Sequence, residues 1–365
     1  MRVTSLELHN FRNHADTSLT FPAGNTTIIG RNGRGKTNIL EAINYLAILG
    51  SHRVSSDVPL IMTGATETQI HAVVEKHQRN ADIKITIKSQ GSNNVELNGS
   101  TLHKPRELLG IVHCVVFAPE DLGLVKGDPV SRRTFIDEFC AQYLPRTDSQ
   151  RLDFERVLRQ RNALLKSFGR RRLSAEAQAS LDAWNEQYIL AASKVAVARV
   201  HALALLTPWI SQHGEVISAG EEPLVITYAS SWLQETTADE AAAAEQLSRA
   251  IMARQAEELD RGVTLVGPHR DDLYISLSGI AAKGYASHGQ SWSIALAMRL
   301  AVFSQLRIAD DDPILLLDDV FAELDTKRRE RLMQSITGVE QTIITAAVRE
   351  DVPLQLLDNA ISLED

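Results

Sequence analysis

The stretch that most constrains this chain is "GRNGRGKTN" at residues 30–38, set between the apolar run "TTII" at 26–29 and the helical pattern "ILEAINYLAIL" at 39–49. Gly30, Gly35, Lys36 and Thr37 satisfy the spacing G-x-x-x-x-G-K-[ST]. Glycines at these positions let successive backbone N–H groups curl around phosphates, and the start of the helix adds partial positive charge. The pattern assigns Gly30, Arg31, Asn32, Gly33, Arg34, Gly35, Lys36, Thr37 and Asn38 to nucleotide binding. Lys36 is expected to reach the β- and γ-phosphates and Thr37 to ligate Mg²⁺. The competing reading is a glycine-rich turn before an ordinary helix, and the strand–loop–helix setting argues against it.

A phosphate cradle of this kind needs an acidic residue at the end of a neighbouring strand to hold the metal. In "PILLLDDV" at residues 313–320, four apolar residues end in Asp318 and Asp319. Taken alone, it also fits a buried strand followed by a solvated turn, the lesser of the two readings. Paired with the loop at residue 30, it makes Asp318 the candidate metal ligand. Small P-loop kinases and GTPases place the two motifs closer together, so a whole lobe is expected between them.

A third segment, "YASHGQSWSIALAMRL" at 285–300, places Ser287, Gly289 and Gln290 at the start of a helix. Their hydroxyl, backbone N–H and amide are suited to receive a phosphate, although such a serine is more often only a helix cap.

The rest of the chain alternates in kind. Residues 2–8, 17–21 and 25–29 read as strands, and 36–49 as a helix with Ile39, Leu40, Ile43, Leu46 and Ala47 inward. Alternation at 69–75, 82–88 and 94–100 predicts an antiparallel addition with a turn at Asn98 and Gly99, and 111–117 is an apolar strand. From Asp128, read as the cap before Pro129, to about 206 the pattern is helical. Strands return at 223–229, 262–267 and 272–278, with a helix near 238–259, and βα units suited to a parallel sheet close the chain.

Composition narrows the class. With 365 residues and 44% hydrophobic content the chain can bury a large core. No run approaches the roughly eighteen uninterrupted apolar residues of a membrane span, and the first residues alternate like a strand, so a cytoplasmic location is expected. Cys114 and Cys140 lack the spacing of a zinc or redox pair. A net charge of -8 argues against indiscriminate coating of nucleic acid but leaves room for a local basic surface. The candidate is residues 151–172, where Arg156, Arg159, Lys166 and Arg170 fall on one helical face and Phe154, Leu158, Leu165 and Phe168 on another. A solvated helix face explains the same pattern.

The order of these motifs resembles the head of an SMC/Rad50-type ABC ATPase, and in particular the RecF family of bacterial DNA replication and repair proteins. The resemblance rests on "LELHNFRNH" (6–14), "PEDLGLVKGDPVSRRTFID" (119–137), "GPHRDDL" (267–273) and "LLLDDVFAELDTKRRERL" (315–332), and it covers nearly the whole chain. It implies an α/β, Rad50-like nucleotide lobe made of residues 1–117 and 291–365, with a mainly helical second lobe at 118–290 ending in the signature motif. It further implies ATP and Mg²⁺, with Ser287, Gly289 and Gln290 closing over nucleotide held by a second subunit, and "AELD" (322–325) as the D-loop along that interface. A homodimer formed with ATP, DNA at gaps and single-/double-strand junctions, RecR and RecO as partners in loading recombinase, and a weak ATPase used as a switch complete the expectation.

The chain also departs from the wider class. Asp319 stands where a glutamate usually polarises the attacking water, so Asp319 and Lys36 are the catalytic candidates. Thr345, Ala346 and Ala347 occupy the region of the switch histidine, and no convincing Q-loop glutamine follows "VVFAPED". The alternative is a P-loop enzyme acting on a small molecule, such as a kinase, but the arginine lid and acceptor pocket of a kinase are not recognisable. A cohesin-like protein would need long coiled coils, for which residues 128–260 are too few and too interrupted.

Overall fold

The structure, a computed structural model, describes residues 1–54, 56–168, 174–218, 220, 222–234, 236–309 and 312–363. The chain opens with a hairpin of β1 (Arg2–Phe11) and β2 (His14–Thr20), then β3 (Gly24–Ile29) runs into the glycine-rich loop and α1 (Lys36–Ile48). Four antiparallel strands follow: β4 (Glu67–Lys76), β5 (Arg79–Lys88), β6 (Asn94–Leu97) and β7 (Ser100–Thr101). Asn98 and Gly99 both take positive φ between β6 and β7, as a two-residue hairpin turn requires. After β8 (Cys114–Phe117) come α2 (Leu122–Lys126), α3 (Pro129–Tyr143), α4 (Arg146–Phe168) and α5 (Ala175–Ser218). The chain continues with β9 (Leu224–Ala229), α6 (Glu240–Arg261), β10 (Asp272–Leu277), β11 (Ile280–Ala281) and α7 (His288–Ala309). It closes with β12 (Ile314–Asp318), α8 (Thr326–Ser335), β13 (Gln341–Ala346) and β14 (Ala360–Ser362).

These elements gather into two units, each assembled from separate stretches of sequence. The first comprises Met1–Val125, Trp209–Leu224 and Ala286–Asp365; the second comprises Lys126–Pro208 and Val225–Tyr285.

The first unit holds two sheets. One is antiparallel, in the order β2-β1-β4-β5-β6-β7; the other, in the order β14-β3-β13-β12-β8, is built of parallel pairs. Every residue of β12 and β13 is buried, which is why "ILLLD" and "QTIITA" read as continuous runs rather than alternating ones. Residues 39–47 of α1 are buried all round, because the helix packs against strands of both sheets. Buried Glu41 is tolerated there because Arg12 meets it with two hydrogen bonds, of 2.6 and 2.9 Å.

The second unit is mainly helical and adds the small sheet β11-β10-β9. Its core packs Phe154 and Val157 of α4, Tyr188, Ala192 and Val195 of α5, and Leu247 and Ile251 of α6. The strand expected at 262–267 does not form: Asn162 Oδ1 accepts from Thr264 N at 2.8 Å, and Glu258 Oε1 accepts from Leu265 N at 2.7 Å. Side chains satisfy the amides that a sheet would otherwise pair. The strand expected at 111–117 is likewise shorter, beginning at Cys114. Asp128 does precede α3 with Pro129 as its first residue, but its side chain makes no capping bond.

A polar network explains two of the unusual strings. Arg132 forks onto Asp272 at 2.6 and 2.8 Å, Arg133 donates to the Asp271 carbonyl at 2.8 Å, and Tyr228 and Trp232 donate to the Asp271 carboxylate. Burial pushes the Asp271 carboxyl up to about 6, against the hydrogen bonds from Tyr228 and Trp232. In length and composition α5 could cross a membrane, yet Arg199 in its middle is buried and forks onto Asp137 at 2.7 and 2.8 Å. This is the packing of a helix inside protein.

Candidate nucleotide site

The loop 30–35 leaves β3 and enters α1, so its backbone is stretched between a buried strand and a buried helix. Arg31, Asn32, Gly33 and Arg34 are exposed, while Gly35 and Lys36 are buried. Gly35 is required twice over. Its φ is +92°, and a β-carbon there would lie 2.4 Å from His14 Nε2 and 2.5 Å from Asn13 Oδ1. The tip of the β1–β2 hairpin holds the loop from outside. Asn13 donates to the Gly33 carbonyl at 3.3 Å and accepts from Asn38 at 2.7 Å, and His14 Nε2 meets the Gly35 carbonyl at 3.1 Å. Gly30 abuts the end of the chain: a β-carbon on it would meet the Leu363 carbonyl oxygen at 3.2 Å.

The Lys36 ammonium donates to the Gly30 carbonyl at 2.5 Å and the Arg31 carbonyl at 3.3 Å. Burial lowers its pKa, and the carboxylates of Asp319 and Asp318 oppose that shift. Thr37 Oγ1 donates to Asp318 Oδ1 at 3.0 Å although 281 residues separate them.

Asp318 does not stand on the strand next to β3, as the sequence suggested. β13 lies between β3 and β12, and its residue Thr345 is the register partner of Asp318. Thr345 Oγ1 donates to Asp318 Oδ1 at 2.5 Å. Burial raises the Asp318 pKa, against the hydrogen bonds from Thr345 and Thr37. Asp319 takes the left-handed conformation at φ 52°, a sparsely used region for a residue with a side chain. Its Oδ1 is buried without a hydrogen-bond partner among the described residues.

His52 belongs to this neighbourhood, and no sequence pattern pointed to it. Both ring nitrogens are buried without hydrogen-bond partners among the described residues. Burial lowers its pKa against the pull of Asp121, Glu41 and Glu120.

These observations test whether Mg²⁺-nucleotide suits the site. An ammonium, a hydroxyl, two carboxylates and a loop of turned amides converge, and one carboxylate oxygen is orphaned. The donor set is hard and oxygen-rich, as Mg²⁺ prefers, and the loop fits a polyphosphate.

Ser287, Gly289 and Gln290 lie at the start of α7. Ser287 Oγ accepts from Gln290 N at 3.2 Å, and Gln290 Oε1 accepts from Ser287 N at 2.8 Å, a reciprocal capping box. The Gln290 amide nitrogen is taken up by Glu222. Ser287 itself remains exposed.

In the second unit, Arg156, Arg159 and Lys166 are exposed on α4, whereas Phe154 and Leu165 are buried and Leu158 and Phe168 half-buried. Arg156 lies 3.1 Å from Asp153. Arg170 lies outside the described residues.

Comparison with known proteins agrees with this architecture. The family described as "RecF/RecN/SMC N terminal domain" matches residues 2–361. A DNA replication and repair protein RecF of Streptomyces avermitilis is 45% identical over 356 residues, covering 97% of this chain and 95% of its own. Two solved structures of the recombination mediator protein RecF in the RecFOR pathway are each 28% identical and cover 96% of this chain. The one with an ATP analogue has a TM-score of 0.88 over 94% of its chain; the one with ATP has 0.87 over 93%. With relatives this similar along nearly its whole length, the chain belongs to the RecF family, within the RecF/RecN/SMC group of ABC-type ATPase folds.

Proposed function

We propose that this chain is an ATP-gated DNA-binding protein of replication and recombinational repair, in which nucleotide joins two copies on DNA and slow hydrolysis releases them. The observation that carries the reading is the meeting of Thr37 and Asp318 at 3.0 Å beside Lys36, across most of the chain. The loop amides and the Lys36 ammonium bind and orient the terminal phosphates. Thr37 and Asp318 would hold Mg²⁺, which when bound would supply positive charge to the phosphates. Asp319 accepts a proton from the attacking water, and its shorter reach than a glutamate fits a slow switch.

In this reading Ser287, Gly289 and Gln290 face the nucleotide of a second copy, from the same unit that carries the phosphate loop rather than from an inserted lobe at 118–290. Gln290 acts there through the capping box that shapes the loop, since its amide is already engaged. Arg156, Arg159, Lys166 and Arg170 contact DNA phosphates, so recognition is of backbone and shape at gaps and single-/double-strand junctions. RecO and RecR are the expected protein partners, in the cytoplasm, as the RecFOR pathway of the solved relatives suggests. A small-molecule kinase reading is not favoured, because the relatives are DNA replication and repair proteins.

Sedimentation with a slowly hydrolysed ATP analogue, with and without gapped DNA, tests the proposal. Wild type is expected to dimerise with the analogue and bind gapped DNA more tightly; Ser287→Arg is expected to bind nucleotide as a single subunit yet stay monomeric. A wild type that remains monomeric at saturating analogue sinks the reading.

A further inference from the structure

Gly289 lies within α7, and its φ is not in the positive range that favours glycine. Its surroundings are close instead. A β-carbon there would lie 2.9 Å from Arg328 Nη1, 3.0 Å from Nη2 and 3.1 Å from Cζ. The guanidinium therefore rests directly on the helix start at Gly289.

The contacts of that guanidinium form a chain. Asp325 Oδ1 accepts from Arg328 N at 2.9 Å, capping α8, and its other oxygen accepts from Arg328 Nη1. Arg328 Nε donates to Ser293 Oγ at 2.9 Å, and Ser293 Oγ donates to the Gly289 carbonyl at 3.0 Å. The aspartate of "AELD" is thus tied through Arg328 and Ser293 to the glycine of "ASHGQ", within one unit of the fold. The outer ends are exposed: Asp325 and Ser287 both face solvent.

We propose that Arg328 is a positioning residue that locks the "AELD" turn to the start of α7, so that both meet the nucleotide of a second copy as one rigid element. This rests on the dimer reading above. The planar fork is what the geometry demands, since Nε and Nη1 serve acceptors on two different elements. A lysine ammonium on a flexible stem does not reproduce that bridge. Glycine at 289 is the matching half of the device, leaving room for the guanidinium where any side chain would push it away.

Two measurements on wild type, Arg328→Ala, Arg328→Lys, Gly289→Ala and the double variant Gly289→Ala/Arg328→Ala test this. Nucleotide affinity is read at protein concentrations that keep the chain monomeric, and the dimer dissociation constant is read with a slowly hydrolysed analogue. Thermal unfolding checks that each variant folds. The expectation is single-subunit affinity within about twofold of wild type but a dimer weakened by roughly tenfold in Arg328→Ala, with no rescue by Arg328→Lys. Gly289→Ala should weaken the dimer similarly in wild type and add little once Arg328 is gone, because the clash has no partner left. Equal effects of Gly289→Ala in both backgrounds, normal dimerisation of Arg328→Ala, or full rescue by lysine would each overturn the inference while wild-type dimerisation keeps the parent reading intact. A monomeric wild type would overturn both.

Discussion

Thr345 bridges the two acids of the site: its hydroxyl donates to Asp318 Oδ1 at 2.5 Å and accepts from Asp319 N at 3.0 Å. One side chain on β13 thus orients the carboxylate that ends β12 and pins the left-handed turn that follows it.

Thr345→Val keeps the shape and removes the hydroxyl. Folding stability is expected to fall by about 1–2 kcal/mol, since a buried carboxylate and an amide each lose a hydrogen-bond partner. The Mg²⁺ concentration giving half-maximal ATP turnover should rise several-fold, and unchanged metal dependence would show that Thr345 does not orient Asp318.

Lys36→Met and Asp318→Asn should separate binding from turnover. In the proposed site Lys36 is to deliver charge directly to phosphates, so its loss should weaken equilibrium ATP binding by at least about tenfold. Asp318→Asn retains the contacts of the loop, and its main loss should be Mg²⁺-dependent phosphate release. Nucleotide titration beside steady-state turnover distinguishes the two, and wild-type values in both variants would remove the site assignment.

Acid should destabilise the fold through two histidines. Burial pushes both His213 and His269 down to about 4, with His213 held against Ser304 at 2.8 Å and His269 beside Tyr188. Above about pH 6.5 neither the folded nor the unfolded chain protonates them. Between roughly pH 6.5 and 4 only the unfolded chain does, so stability falls by up to ~3 kcal/mol per histidine, levelling off below that window. Asp271 works in the opposite sense, because its folded value of about 6 lies above its unfolded one and favours the fold as pH drops from 6 toward 3.8. Urea unfolding at stepped pH should give a shallower acid slope for His213→Phe than for wild type; parallel slopes would refute the assignment.

Reversing charge at Arg156 and Arg159 together should weaken DNA binding at low salt and flatten its salt dependence by about two phosphate contacts. Nucleotide affinity should not change. An unaltered salt slope would return this face of α4 to the ordinary role of a solvated helix surface.

The glycine-rich turn between β3 and α1 was legible because its residues are neighbours in sequence, and the place of Asp318 because a buried parallel strand leaves an unbroken apolar run ending in acid. The role of Thr345 was not legible. It arises from the register of β12 against β13, which brings together residues 27 apart. Nor did the pattern show that β13 is inserted between β3 and β12. The region 262–267 misled in the other direction: its apolar residues resemble a strand, but Asn162 and Glu258 capture its amides before a neighbour can. Gly289 was legible as part of a helix start, whereas its packing against Arg328 arises from tertiary structure that brings α8 onto the start of α7.

The sheet order also constrains how the protein is made. β3, the strand that launches the phosphate loop, is flanked in its sheet by β13 and β14. During synthesis from the N-terminus the loop emerges early, yet both flanking strands come from the last stretch of sequence. The antiparallel sheet and the helical unit draw on earlier residues and can form while β3 still has bare edges. Nucleotide competence therefore arrives as a late, nearly all-or-none event, and a chain stalled before residue 341 should expose two open strand edges, a state prone to aggregation and in need of chaperone protection.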